Sequence, residues 1–118
     1  MNLEQLFHQY KEQTLSGRYI TLESIESLLQ KENPQCQIEI IGKSVLDKPI
    51  YKYQVGIGKT KILLWSQMHG NESTTTKAVF DLLNVIHSDT DFAKQIREDF
   101  EKVLDGKNNK GITERALK

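Results

Sequence analysis

The stretch Lys61-Ile62-Leu63-Leu64-Trp65-Ser66-Gln67-Met68-His69-Gly70-Asn71-Glu72-Ser73-Thr74 decides how the chain is read. Ile62 to Trp65 is the longest uninterrupted apolar run in the sequence. It is continuous rather than alternating, the pattern of a central strand covered on both faces. From Thr74 the period turns helical, with Ala78, Val79, Leu82, Leu83 and Ile86 on one face. A buried strand that passes through a short turn into a helix is the signature of an α/β fold.

Upstream of this stretch, Gln37 to Ile41 carries Ile38 and Ile40 in alternation, and Ile50 to Val55 sets Tyr51, Tyr53 and Val55 against Lys52 and Gln54. Both read as strands, the second half-exposed. Gly42-Lys43-Ser44 and Asp47-Lys48-Pro49 form the loop between them, and Gly56-Ile57-Gly58 the next turn. Farther back lie two helices. Leu3, Leu6, Phe7 and Tyr10 make one face of the first, which Ser16-Gly17 is expected to end. The second starts at Thr21 as N-cap, buries Leu22, Ile25, Leu28 and Leu29, and stops at Asn33-Pro34.

A fourth helix is predicted from about Asp91, with Phe92, Ile96, Phe100, Val103 and Leu104 on one face and Gly106 as its C′ residue. Lys107 to Lys118 is polar and charged, and is expected to be a loosely ordered tail behind a domain spanning residues 1–106. The predicted order is helix, helix, three strands, helix, helix: α/β, with a small mixed sheet flanked by helices. Open strand edges and a small core predict self-association, edge to edge.

The chain has 118 residues, enough for one domain, and its 16 basic and 16 acidic residues cancel. That balance argues against a nucleic-acid or membrane-surface binder. No apolar run approaches the length of a bilayer span. A single cysteine, Cys36, forms no intramolecular disulfide and no cysteine-based zinc site, and reads as a small structural residue. The first residues lack the basic and apolar regions of a secretory signal, so a cytoplasmic location is expected.

Chemistry concentrates at His69-Gly70-Asn71-Glu72, directly after the predicted buried strand, where ligand sites of open α/β sheets collect. A neutral imidazole and a carboxylate three positions apart, across a glycine that lets the backbone turn sharply, converge on one point outside the sheet. Zinc accepts such a pair in the two-histidine, one-glutamate set of its catalytic sites. A histidine and glutamate that merely lie in a solvated loop and cap the next helix are the plain alternative. His87 cannot complete the set. Thirteen helical residues, Thr74 to Ile86, put it about 20 Å from the turn, against zinc–nitrogen bonds of ~2 Å. His8, beside Phe7, reads as a surface or partly buried histidine. Gly58-Lys59-Thr60 and Gly42-Lys43-Ser44 end like phosphate-binding loops but lack the earlier glycine, since Tyr53 and Gln37 stand in its place.

Taken as a set, Arg18-Tyr19-Ile20-Thr21-Leu22-Glu23-Ser24-Ile25, Ile41-Gly42-Lys43-Ser44-Val45, Pro49-Ile50-Tyr51, Lys61 to Leu64 and His69-Gly70-Asn71-Glu72 resemble the opening third of a zinc carboxypeptidase of the M14 family. The resemblance covers roughly Arg18 to Asn84. It implies the N-terminal portion of a carboxypeptidase-like (phosphorylase/hydrolase-like) fold. The implied activity is a zinc-dependent metallopeptidase that releases C-terminal residues from peptides. His69 and Glu72 would be two of three zinc ligands, and peptide C-termini the partners. Zinc would polarise the scissile carbonyl and lower the pKa of its bound water to about 7. The aspartoacylase and succinylglutamate desuccinylase amide hydrolases share the His-Gly-Asn-Glu turn, but the leading helix and hairpin are more like those of the carboxypeptidases.

The chain departs from the family after this point. Only 46 of its 118 residues follow Glu72, whereas the family's third ligand lies much farther downstream. Val103-Leu104-Asp105-Gly106 stands where the family has Asn-Pro-Asp-Gly, and the general-base glutamate, the Asn-Arg pair and the substrate tyrosine have no matching positions. The resemblance therefore implies the front of such an enzyme, inactive by itself, or else a non-catalytic fragment that works as an interaction module.

Overall fold

The computed structural model describes residues 2–31, 33–34, 36–56 and 61–101. The tail at 107–118, the Gly56-Ile57-Gly58 turn beyond Gly56, and the helical positions Val103, Leu104 and Gly106 lie outside the described residues. The described residues form a small α/β arrangement of four helices and one two-stranded antiparallel sheet, in the order α1 (Leu3–Tyr10), α2 (Leu22–Leu29), β1 (Cys36–Lys43), β2 (Pro49–Val55), α3 (Thr74–Ile86), α4 (Asp91–Glu101).

Helix α1 starts with a capping box. Asn2 Oδ1 accepts from Gln5 N at 2.9 Å, and Gln5 Oε1 accepts from Asn2 N at 3.2 Å. The helix ends at Tyr10 rather than at Ser16-Gly17. A buried polar tie outcompetes another turn: Glu12 N donates to Asp81 on α3 at 2.7 Å, while the Glu12 carboxylate accepts from Thr14 Oγ1 at 2.9 Å and Asn84 Nδ2 at 3.2 Å. Burial opposes ionisation of Glu12, but the hydrogen bonds from Asn84 and Thr14 outweigh it and hold the carboxyl below its ordinary value.

The early end of α1 frees residues 11–21 to wrap across the domain and insert Leu15 and Ile20 into the core. There they meet Leu28 and Leu29 of α2 and Phe80 of α3. Gly17, at φ 78°, supplies the left-handed step that this path needs. Tyr51 and Tyr53 from β2, Ile25 and Leu83 pack around the same cluster. On α3 the buried side carries Thr76, Phe80 and Ile86, while Ala78 and Leu82, expected inside, are exposed. Ala93 of α4 is fully buried, and Arg97 caps the carboxyl end of α3 through Ile86 O and Ser88 O.

The hairpin forms as its alternation predicts. Cys36 pairs with Val55, Ile38 with Tyr53 and Ile40 with Tyr51, with a register shift between Ile40 and Gly42 that leaves Ile41 as the extra residue of a bulge. The loop closes locally: Asp47, at φ 60°, donates its N–H to Ser44 O at 2.9 Å, and its carboxylate pairs with Lys43 at 2.9 Å. Gly42-Lys43-Ser44 is thus a strand end and turn.

The third strand, and with it the mixed sheet, does not form among the described residues. Residues 61–67 belong to no ladder. Ile62, Leu63, Leu64 and Trp65 are 58%, 52%, 61% and 66% exposed. A continuous apolar run specifies a strand only where neighbours cover both of its faces, and the described residues leave this one more than half exposed. No helix among the described residues is long and apolar enough to cross a membrane.

Candidate functional site

The turn between residues 61–67 and α3 carries both expected metal ligands, and it brings them together. His69 Nδ1 lies 3.1 Å from Glu72 Oε2. The turn is closed beneath them by Glu72 N donating to His69 O at 3.0 Å. Each side chain is 70% exposed, so neither is held by packing.

What holds the turn is a set of polar side chains around it. The Gln67 amide donates from Nε2 to Ile20 O at 2.8 Å and to Gly70 O at 2.9 Å, and its Oε1 accepts from Thr76 Oγ1 at 2.9 Å. Ser66 Oγ also meets Thr76 Oγ1, at 2.9 Å. Gln67 N donates to Thr75 Oγ1 at 3.2 Å. At the far end of the turn Ser73 is buried, and its hydroxyl donates to Arg18 O at 2.5 Å. Lys77, one turn into α3, donates to Gly17 O. The turn is therefore clamped at both ends to the segment 17–20, itself anchored by Ile20 in the core. The sequence signal was present in Ser66, Gln67, Ser73 and the Thr74-Thr75-Thr76 run, a dense polar group around an apolar strand candidate.

The turn across Gly70 closes, Glu72 N donating to His69 O at 3.0 Å. Gly70 does not carry the sharp left-handed step; Gln67 does, at φ 52°. A Cβ added at Gly70 would meet nothing within 4 Å. A non-glycine residue holds such a conformation only where its surroundings over-determine it, and the Gln67 amide contacts supply that.

His69 and Glu72 offer an imidazole nitrogen and a carboxylate oxygen, donor types that zinc accepts. Two donors on one tetrahedral zinc with bonds of ~2.1 Å sit about 3.4 Å apart, whereas Nδ1 and Oε2 lie at direct hydrogen-bond distance, 3.1 Å. Among the described residues no third His, Cys, Asp or Glu joins them.

The other histidines lie elsewhere. His87, at the end of α3, packs against β2, with Tyr53 Oη 2.9 Å from its Nε2. Burial, with Arg97 nearby, lowers its pKa, so the imidazole is held neutral. Burial, together with the neighbouring Cys36 thiol, raises that of Tyr53. His8 is exposed, 3.9 Å from Glu4. Cys36 is half-buried at the start of β1, its thiol donating to Asn33 O at 3.3 Å. Comparison with known proteins finds no matching family model, no similar curated protein and no similar solved structure.

Proposed function

We propose that the chain is the front, metal-binding part of a zinc-dependent carboxypeptidase-like hydrolase, with His69 and Glu72 as two of the metal's ligands. The observation that carries this reading is the convergence of His69 Nδ1 and Glu72 Oε2 to 3.1 Å on a turn leading into α3. When bound, zinc would supply a Lewis acid and a water acidic enough to serve as nucleophile near neutral pH. The chain's own residues present the two ligand atoms and leave that face of the turn open to peptide C-termini. Catalytic zinc sites take three protein ligands, so two alone hold zinc weakly and the chain by itself does not hydrolyse peptides.

The exposure of both side chains favours a second reading, in which the turn is a solvated hydrogen-bonded loop of a non-catalytic interaction module. Equilibrium zinc titration of the full chain separates the two, with His69→Ala and Glu72→Ala alongside. Zinc binding lost in both variants supports the ligand pair. Binding that is absent, or unchanged in either variant, overturns it.

A further inference from the structure

The His69 and Glu72 side chains touch little besides each other, so their approach is set by the backbone of residues 68–72. That backbone has one internal closure, Glu72 N to His69 O. Everything else that fixes it comes from its ends, and at the leading end Gln67 makes four polar contacts, with Ser66 Oγ to Thr76 Oγ1 beside them. A glutamine amide has two N–H donors and one carbonyl acceptor. In Gln67 both donors and the acceptor are engaged, by Ile20 O, Gly70 O and Thr76 Oγ1. One side chain thereby joins the core-anchored loop before α2, the glycine carbonyl inside the turn, and the first turn of α3. The Gly70 contact is the informative one, because Gly70 lies between the two proposed ligands.

We propose that Gln67 is the positioning residue of the pair: by clamping the Gly70 carbonyl to Ile20 and Thr76 it fixes the separation of His69 and Glu72. It touches neither the metal nor a substrate, and acts only through those two side chains. This inference rests on the reading of the pair as zinc ligands. Outer contacts of this kind around metal ligands typically change metal affinity by ~10- to 100-fold when removed.

Two variants separate the amide from the backbone conformation it accompanies. Gln67→Gly removes the amide and accepts φ 52° without strain. Gln67→Glu keeps the length and an acceptor but removes both donors. The measurements, made on the full chain, are zinc affinity by competition with a chromophoric chelator, and amide hydrogen exchange of Glu72 in metal-free protein. The exchange is read as a ratio to a core amide such as Leu83. In both variants the Glu72 amide is expected to exchange about tenfold faster relative to Leu83, and zinc affinity to fall at least ~10-fold.

The ratio makes the test independent of global stability, because a merely destabilised chain accelerates both amides together. An unchanged ratio in both variants, or wild-type zinc affinity in both, overturns the positioning role. If Gln67→Glu alone behaves as wild type, the donors to Ile20 and Gly70 are not what holds the turn, and the proposal also falls. If the wild-type chain binds no zinc, the ligand reading fails separately. The exchange ratio then decides by itself whether Gln67 fixes the turn.

Discussion

The hairpin β1–β2 and the stretch Lys61–Gln67 are about equally rich in strand-forming residues, yet among the described residues one forms a sheet and the other does not. In the hairpin each strand's partner is close along the chain, Asp47 and Ser44 close the turn, and the alternation gives one face to the core through Tyr51 and Tyr53. Ile62 to Trp65 has no such local partner, and its four side chains remain more than half exposed. A strand that pairs through a local turn carries its own instructions. A strand that needs cover on both faces depends on elements brought to it from elsewhere.

The sharpest way to break this contrast is to truncate one side chain in each region. Tyr53→Ala removes core packing and the contact with His87, and is expected to cost about 3 kcal/mol by urea unfolding. Trp65→Ala, though it deletes a larger ring, is expected to change stability by no more than ~0.5 kcal/mol, because the ring is mostly in water. Comparable costs would show that the stretch is covered in solution.

Association comes next. A contiguous run of exposed Ile, Leu, Leu and Trp is a template for pairing with a second copy. Sedimentation is expected to show concentration-dependent self-association, abolished by the double change Leu63→Lys, Leu64→Glu. A wild-type chain that stays monomeric at high concentration would remove the contrast between the two regions.

A third test uses pH, which acts on the hairpin through His87. Its folded-state pKa lies below the ordinary value of 6.5, so the unfolded chain binds the proton more readily. The stability from the neutral imidazole is present above pH 6.5 and is lost as pH falls through the lower folded value. The lowered Glu12 carboxyl acts in the same direction below about 4.5. Unfolding measured between pH 7 and pH 4 is expected to show the earlier loss in the wild type and a flatter profile in His87→Gln. Equal slopes would mean that burial and Arg97 do not hold His87 neutral.

The smallest effects belong to the two turns. Gly70→Ala is expected to be neutral or to stabilise by about 0.5 kcal/mol, because the position has room for a Cβ and needs no left-handed backbone. Asp47→Gly exchanges an exposed ion pair for relief at φ 60°, with a net change of no more than ~0.5 kcal/mol. A large loss at Gly70 would instead place the strain of the 68–72 turn there rather than at Gln67.

Much of the local structure was legible. Thr21 marked the start of α2, Thr74 that of α3, and Tyr51 and Tyr53 the face of β2 that meets the core. His69 and Glu72 were legible as a pair, since three positions across a tight turn leave little freedom. Leu15 and Ile20 were not, because they sit in an aperiodic segment whose burial depends on where α1 stops. Gln67 was not legible either, because a glutamine's three hydrogen-bonding partners at Ile20, Gly70 and Thr76 are 47, 3 and 9 residues away and share no period.

The sequence by itself determined what short-range physics controls: helix starts, the hairpin, the neutral charge balance, and the approach of two side chains across four residues. The tertiary structure decided the rest. It ended α1 early through Glu12 and Asp81, turned Phe80 rather than Ala78 inward, placed the left-handed step at Gln67, and among the described residues left Ile62–Trp65 without a sheet. Each of these outcomes depends on contacts between distant segments, and a pattern read along one segment holds no information about whether its partner arrives.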